Sequence, residues 1–220
     1  MGILYIVATP IGNLEDITLR ALRILKEADL ILCEDTRVTK KLLERYNIGT
    51  RTLSYHQHSG KFKVDKLLSL ISQNESTALV TDAGTPGLSD PGGKLVEKAI
   101  AAGHKIESVP GPSALAAAIS VSGLPMDKFL FLGFLPHKKG RQTLISQISE
   151  SKYPVVVYES VHRIVKLLEE LKLKNKDLKL VVCRELTKKF ETVYRGTVEE
   201  AQKQLKESET KGEFVVIINR

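Results

Sequence analysis

The chain has 220 residues, with 15 Gly, 8 Pro, 2 Cys and no Trp, and is 42% hydrophobic and 27% charged. That is ordinary globular composition; it excludes a disordered, collagenous or disulfide-scaffold protein and leaves room for one large or two small domains with cores of their own. The formal charge of +7 permits a polyanionic partner without naming one.

Residues 3–8 (ILYIVA) form a near-continuous apolar run, as in a strand covered on both faces. Thr18 is placed to cap a helix whose Leu22, Leu25 and Ala28 recur at helical spacing. Residues 30–33 read as a second strand, 39–46 as a helix, 52–55 as a short strand, 64–72 as a helix and 77–81 as a strand. Helix 93–102 ends at Gly103, a natural C-cap, and strand 106–109 follows. Strand–helix alternation of this kind predicts a mostly parallel α/β sheet. Pro110-Gly111-Pro112-Ser113 is the strongest punctuation in the chain and is taken as the junction between an N-terminal domain 1–112 and a C-terminal domain 113–220. Beyond it, Ser113 can cap a small-residue helix. Strand 129–134, helix 141–149, strand 155–158, helix 161–171, strand 178–184, strand 191–194, helix 198–206 and strand 214–218 follow. The adjacent strands near 178–184 and 190–195 suggest an antiparallel hairpin, so the second α/β domain is expected to hold a mixed sheet. The charge divides unevenly, +1 over residues 1–112 and +6 over residues 113–220.

Cys33 and Cys183 lie in apolar runs (LILCE and LVVCRE) and read as buried thiols in a reducing compartment. Neither CxxC nor HExxH occurs and the five His are scattered, so no metal site is expected. There is no basic leader ahead of the first strand, and no apolar stretch approaches the length that spans a bilayer. The expected protein is cytoplasmic, without membrane contact.

In open α/β sheets, ligands sit beyond the C-terminal ends of the strands. Four such ends carry unusual residues. After the first strand comes Thr9-Pro10-Ile11-Gly12-Asn13-Leu14-Glu15-Asp16, where a dinucleotide fingerprint would lie; GxGxxG is absent, Pro10 removes an amide donor, and two acids sit close by. This loop is either an ordinary strand–helix turn or a site for a cationic or neutral ligand. After the second strand, Glu34-Asp35-Thr36-Arg37 is either functional or a structural Asp35–Arg37 pair. After the strand at 77–81, residues 82–93 hold four Gly and two Pro together with two acids, Asp82 and Asp90. Small residues there let a ligand approach the backbone, and the acids can accept from ribose hydroxyls or an amino group. The fourth end is Pro110–Ser113 itself; clefts between domains are favoured ligand sites.

These loops, VATPIGNLEDIT (7–18), ADLILCEDTR (28–37), SYHQH (54–58) and LVTDAGTPGLSDPG (79–92), resemble the tetrapyrrole-methylase superfamily, the class III S-adenosylmethionine-dependent methyltransferases. The likeness continues through VPGPSALAAAISVSGLP (109–125), FLFLGFLP (129–136), VYESVHRI (157–164) and CRELTKKFE (183–191), essentially the whole chain. Tetrapyrrole-acting members usually carry GxGPGD in the first loop and GGDP in the third. This chain has ATPIGN and AGTP, and so resembles the branch that methylates the ribose 2′-hydroxyl of a cytidine in the decoding region of 16S rRNA.

The resemblance implies a tetrapyrrole-methylase-like fold with S-adenosylmethionine in a cleft between the two domains, a homodimer, and 16S rRNA or the small ribosomal subunit as partner. By position it implies cofactor contacts at Pro10, Asp82, Ala83, Gly84, Leu88, Ser89, Ser113, Ala114, Tyr158 and Glu159. A ribose hydroxyl is a weak nucleophile, so positioning and a base both matter. Candidates for the base are Asp35, His56, Asp82, Glu159, His162, Glu185 and Lys188, of which Asp35 and Glu159 are preferred; Glu159 can alternatively pair with Arg163 one helical turn on. Arg37, Arg163 and Arg184, with Lys138, Lys139, Arg141, Lys188 and Lys189, are expected to hold RNA phosphate. Aromatic residues total only 5%, too few for an aromatic-rich single-strand platform. Two alternatives remain open: methylation of a precorrin-like tetrapyrrole, and a non-catalytic protein that binds the ribosomal subunit on the same fold.

Overall fold

The computed structural model describes residues 2–55, 61–207 and 212–220. The chain divides into two compact units, Met1–Ser113 and Ala114–Arg220.

The first unit alternates β1 (Ile3–Val7), α1 (Leu19–Glu27), β2 (Leu30–Cys33), α2 (Thr36–Arg45), β3 (Thr52–Ser54), α3 (Lys61–Gln73), β4 (Ser76–Leu79), α4 (Gly93–Ala101) and β5 (Lys105–Val109). Its strands are all parallel, in the order β3-β2-β4-β1-β5. Successive strand residues face opposite sides of a sheet, and here both sides are covered. Val7, Ile31, Cys33 and Ala78 pack with Ala21 and Leu25 of α1 and Leu43 of α2. Leu4, Leu30, Leu32 and Leu79 pack with Leu67 and Ile71 of α3 and with Leu95 and Ala99 of α4. Double coverage is why these strands read as unbroken apolar runs. Parallel pairing also sends every strand's C-terminal end to one edge, so the loops after β1, β2, β4 and β5 emerge together. Thr18 caps α1, its hydroxyl accepting from the Ala21 amide at 3.0 Å.

The second unit comprises α5 (Ala114–Ser120), β6 (Leu130–Phe134), α6 (Arg141–Glu150), β7 (Val155–Ser160), α7 (Ile164–Lys174), β8 (Lys179–Arg184), β9 (Thr192–Thr197), α8 (Val198–Glu207) and β10 (Glu213–Asn219). The order is β6-β7-β10-β8-β9, with β6 and β7 parallel and the other pairs antiparallel. The sheet is therefore mixed, and β8 and β9 form the expected hairpin. Val155, Val157, Leu180, Val182, Phe214 and Val216 line one face and pack with Ile145, Leu167, Leu171 and Ala201 from α6, α7 and α8. The α5 helix packs on β10. Among the described residues, no helix is long and apolar enough to cross a membrane.

Among the boundaries that differ from the sequence reading, those of three elements have a clear structural cause. The α2 helix starts at Thr36 instead of residue 39, because the Asp35 side chain accepts from the Arg37 amide at 2.8 Å and caps it. The α7 helix starts at Ile164, not 161, because β7 stays paired with β10 as far as Ser160 opposite Glu213. β9 extends from Thr192 to Thr197, since it pairs along the full length of β8.

Cys33 and Cys183 are both fully buried free thiols. Burial pushes the Cys183 thiol up from an ordinary value near 9 to about 11, helped by Glu191 and opposed by Arg195. A thiol whose folded value is raised binds its proton longer in the folded state. Its stabilising effect is complete below about pH 9 and is lost as pH climbs through 11. Urea unfolding between pH 8 and 11 should therefore show a steeper loss of stability for the wild type than for Cys183→Val.

Candidate functional site

The four loops singled out from sequence meet at the C-terminal edge of the first sheet. Thr9 and Gly84 exchange backbone hydrogen bonds in both directions, at 2.9 and 3.0 Å, tying the loop after β1 to the loop after β4. The Thr9 hydroxyl donates to the Thr81 carbonyl at 3.1 Å. The Asp35 amide donates to Asp82 Oδ1 at 2.9 Å and brings in the loop after β2. The Thr85 hydroxyl donates to the Pro112 carbonyl at 3.2 Å and brings in the segment after β5. Gly84 makes its pairing at φ 77°, with Ile11 Cγ2 3.4 Å from where a Cβ would stand. A Cβ at Gly111 would lie 3.1 Å from the Ala8 Cβ. Both positions need glycine, the first for its left-handed backbone and the second for close approach.

Within this cluster Asp82, Ala83 and Ser89 are exposed, Leu88 is half-buried, and Pro10 and Gly84 are buried. Ser89 holds φ at 64°, uncommon for a residue with a side chain. In the loop after β1, Asn13 accepts from the Glu15 amide at 3.1 Å, and Glu15 and Asp16 are exposed. Exposed carboxylates beside small residues suit a cationic or hydroxyl-bearing ligand better than a phosphate. Ser113 is the last residue of the first unit, and Ala114 opens α5 in the second.

The Asp35–Arg37 pair does form. The guanidinium meets both carboxylate oxygens, with Nη2 2.6 Å from Oδ2, and this pairing pushes the Arg37 group up from its ordinary value. The Arg37 side chain is 88% exposed. It borders a groove of about 470 Å³ along α2, shared with Lys40, Glu44 and Arg51 above a floor of Leu43 and Ile48. His56 lies outside the described residues.

In the second unit three sequence expectations, those for Arg141, Glu159 and Arg163, are corrected. Arg141, expected at RNA phosphate, is only 3% exposed. Its Nε donates to Glu170 Oε2 at 2.8 Å, its Nη1 donates to the Pro136 carbonyl at 3.3 Å, and Nη1 stands 3.6 Å from Glu159 Oε2. A guanidinium enclosed among carboxylates and a carbonyl is withdrawn from solvent and from RNA. Glu159, expected as a base and cofactor contact, has no exposed side-chain surface. Its Oε1 accepts from Arg163 Nε at 2.8 Å and from the Ser160 amide at 2.8 Å. The predicted Glu159–Arg163 pair is present, but it joins a strand end to a helix cap and not two turns of a helix. Arg163, also expected at RNA phosphate, donates besides to the Leu135 carbonyl at 2.8 Å and is largely buried, so it too is withdrawn from RNA. Tyr158 packs edge-on against Phe131 and Phe134, at ring-centre distances of 5.0 and 5.5 Å.

Lys138 and Lys139 are exposed in the segment between β6 and α6; Lys189 is exposed, and Arg184 and Lys188 are half-buried. Lys188 donates to Glu185 Oε1 and to Glu213 Oε2, both at 2.9 Å. Burial pushes the Glu185 carboxyl up, but the bonds from Lys188 and the Glu213 amide, with the charges of Lys188 and Arg184, outweigh it and hold the group below its usual range. His162 is exposed on the turn before α7. Glu170 and Glu213 were not singled out from sequence. Glu170 sits at the margin of the apolar stripe of α7, the one available hint that it faces inward.

A family model described as "Tetrapyrrole (Corrin/Porphyrin) Methylases" matches residues 3–202. The chain is 45% identical over 218 residues to "Ribosomal RNA small subunit methyltransferase I" of Halalkalibacterium halodurans, covering 99% of this chain and 75% of that one. It is 42% identical over 219 residues to the protein of the same name from Thermotoga maritima, covering 100% and 99%. Among solved structures, diphthine synthase superposes with a TM-score of 0.76 at 16% identity, over 99% of this chain and 90% of that one. Uroporphyrin-III C-methyl transferase from Thermus thermophilus, complexed with S-adenyl homocysteine, superposes with a TM-score of 0.70 at 23% identity, over 100% and 98%. At these identities the structural likeness establishes a shared fold.

Removing one partner from a buried ion pair strands the other charge, at a cost of about 3–5 kcal/mol, whereas exposed cations change stability by less than about 0.5 kcal/mol. Arg141→Ala should therefore lower the urea midpoint sharply, while Lys138→Ala and Lys139→Ala leave it nearly unmoved.

Proposed function

The chain belongs to the tetrapyrrole (corrin/porphyrin) methylase family, and from that premise we propose that it uses S-adenosylmethionine to methylate the ribose 2′-hydroxyl of a cytidine in the decoding region of 16S rRNA. The observation that carries this reading is the 42–45% identity, over nearly the full chain, to proteins named for the small-subunit ribosomal RNA.

The residues at the edge of the first sheet fit the cofactor. Asp82, Ser89 and the carbonyls around Gly84 offer acceptors for an ammonium and for ribose hydroxyls, and small residues leave the backbone approachable. Pro10, Ala83, Leu88 and Ser113 complete the assigned contacts in this unit. S-adenosylmethionine supplies, when bound, a methyl group already activated on a sulfonium. The protein's share of the work is then to align the acceptor oxygen and take up its proton. Of the two acids preferred for that proton, Glu159 has no exposed side-chain surface, so the assignment passes to Asp35, whose side chain stays 26% exposed while Arg37 orients it. Exposed Lys138, Lys139 and Lys189 are assigned to RNA phosphate, a role that Arg141 and Arg163 give up.

The test uses labelled S-adenosylmethionine and small ribosomal subunits from a strain lacking the activity, followed by digestion to nucleosides. Label is expected in 2′-O-methylcytidine; label on a base, or none, overturns the assignment. In the same system, Lys138→Glu with Lys139→Glu should weaken RNA binding and flatten its salt dependence by roughly 1.4–1.8 in log–log slope, since each phosphate contact contributes about 0.7 on single strands and about 0.9 on a duplex. Cofactor affinity should stay within about twofold, because no ligand contact of the first unit is altered.

A further inference from the structure

Building on the RNA-methylating reading above, we propose that Phe190 is a base-stacking residue for RNA, presented by a locked turn between β8 and β9. Residues 185–191 make this turn. Glu185 and Thr187 adopt φ values of 51° and 66°, left-handed conformations that side chains disfavour, and neither is a glycine. Such strain persists only where surrounding contacts over-determine it.

Those contacts are present. The Glu185 amide donates to the Glu213 carbonyl at 3.0 Å, and Glu185 Oε1 accepts from the Glu213 amide at 3.0 Å. Lys188 Nζ bridges Glu185 and Glu213. The Thr187 amide donates to Glu191 Oε2 at 2.6 Å. Backbone bonds from Lys188 to Glu185 and from Glu191 to Lys188, each 3.0 Å, close the turn. Leu186 is buried beneath it.

Adjacent lysines are thereby given opposite tasks. Lys188 is spent on the turn, neutralised by two carboxylates. Lys189 is exposed, with its ammonium 5.6 Å from the centre of the Phe190 ring. Phe190 itself is 65% exposed. An open aromatic face with a cation against it is the elementary unit of sequence-tolerant recognition of single-stranded RNA: the ring takes a base and the cation favours the backbone. Holding that unit on a rigid turn removes much of the ordering loss that binding would otherwise carry. A single ring does not make the aromatic-rich platform absent from this composition; it makes one stacking contact.

The chain contains no tryptophan, so Phe190→Trp introduces a sole indole reporter at this position. Its emission should be quenched saturably on titration with small ribosomal subunits. Phe190→Ala should weaken RNA binding by about tenfold, with Phe190→Tyr and Phe190→Trp remaining near wild type and cofactor affinity equal in all four proteins. Unchanged indole emission at subunit concentrations where filter retention shows a complex, or wild-type affinity in Phe190→Ala, overturns this inference while the methylation assay stands. A blue shift that grows with protein concentration without RNA assigns the ring to a contact between copies and overturns it too. A wild-type protein that neither binds subunits nor methylates them overturns the parent reading together with this one.

Discussion

The reciprocal backbone bonds between Thr9 and Gly84 are the constraint on which the candidate site rests. Parallel pairing alone brings strand ends to one edge; it does not fix the loops that leave them. The Thr9–Gly84 pair fixes two of those loops to each other. Asp82, held in the same loop as Gly84, receives the amide of Asp35, and Thr85 reaches the Pro112 carbonyl. One loop, residues 82–92, thus carries the contacts to all three of its neighbours. That explains its glycine content: the backbone must turn tightly and approach other backbones while keeping Asp82 outward. Five of the proposed cofactor contacts, Asp82, Ala83, Gly84, Leu88 and Ser89, belong to the same loop.

The second unit solves a different problem. It carries most of the chain's positive charge, and two kinds of cation must be told apart. Arg141 and Arg163 are enclosed with Glu159 and Glu170 and connect β7, α6, α7 and the segment around Pro136. The exposed lysines flank these enclosed groups in sequence, Lys138 and Lys139 immediately before Arg141. The buried arginine anchors the end of the segment that displays the lysines, so the display depends on the anchor. Specificity through such buried ion groups is bought with desolvation, which is why each carboxylate here has a close cationic partner.

Much of this was legible in the sequence, and the exceptions share a cause. Apolar runs gave away β1, β2 and β4, and the adjacency of two strand patterns gave away the β8–β9 hairpin. The four loops were legible because glycine, proline and acid at strand ends are local signals. What escaped notice depends on partners distant in sequence. Arg141 reads as a surface cation beside two lysines; only Glu170, on another helix, makes it a core residue. The start of α7 is set by pairing with β10, fifty residues away. Glu185 and Thr187 carry no glycine to advertise their left-handed backbone. The start of α2 was the exception that local chemistry could have shown, since Asp35 is a good cap followed by a helical stretch.

The strand orders carry a consequence for synthesis. β1, the first strand of its own sheet to be made, lies inside that sheet between β4 and β5, while β10, the last of its sheet, lies inside the other between β7 and β8. As the chain leaves the ribosome, β1 must wait for partners centred near residues 77 and 107. β8 and β9 can pair at once as a hairpin, but the edges of β7 and β8 that β10 will join stay open until residues 213–219 emerge. Val155 to Val157 and Val181 to Cys183 are apolar strand edges of the kind that associate wrongly when left unpaired. The vulnerable interval in the life of this molecule is therefore the time between completing β8 and delivering β10, when its second core has walls but no centre.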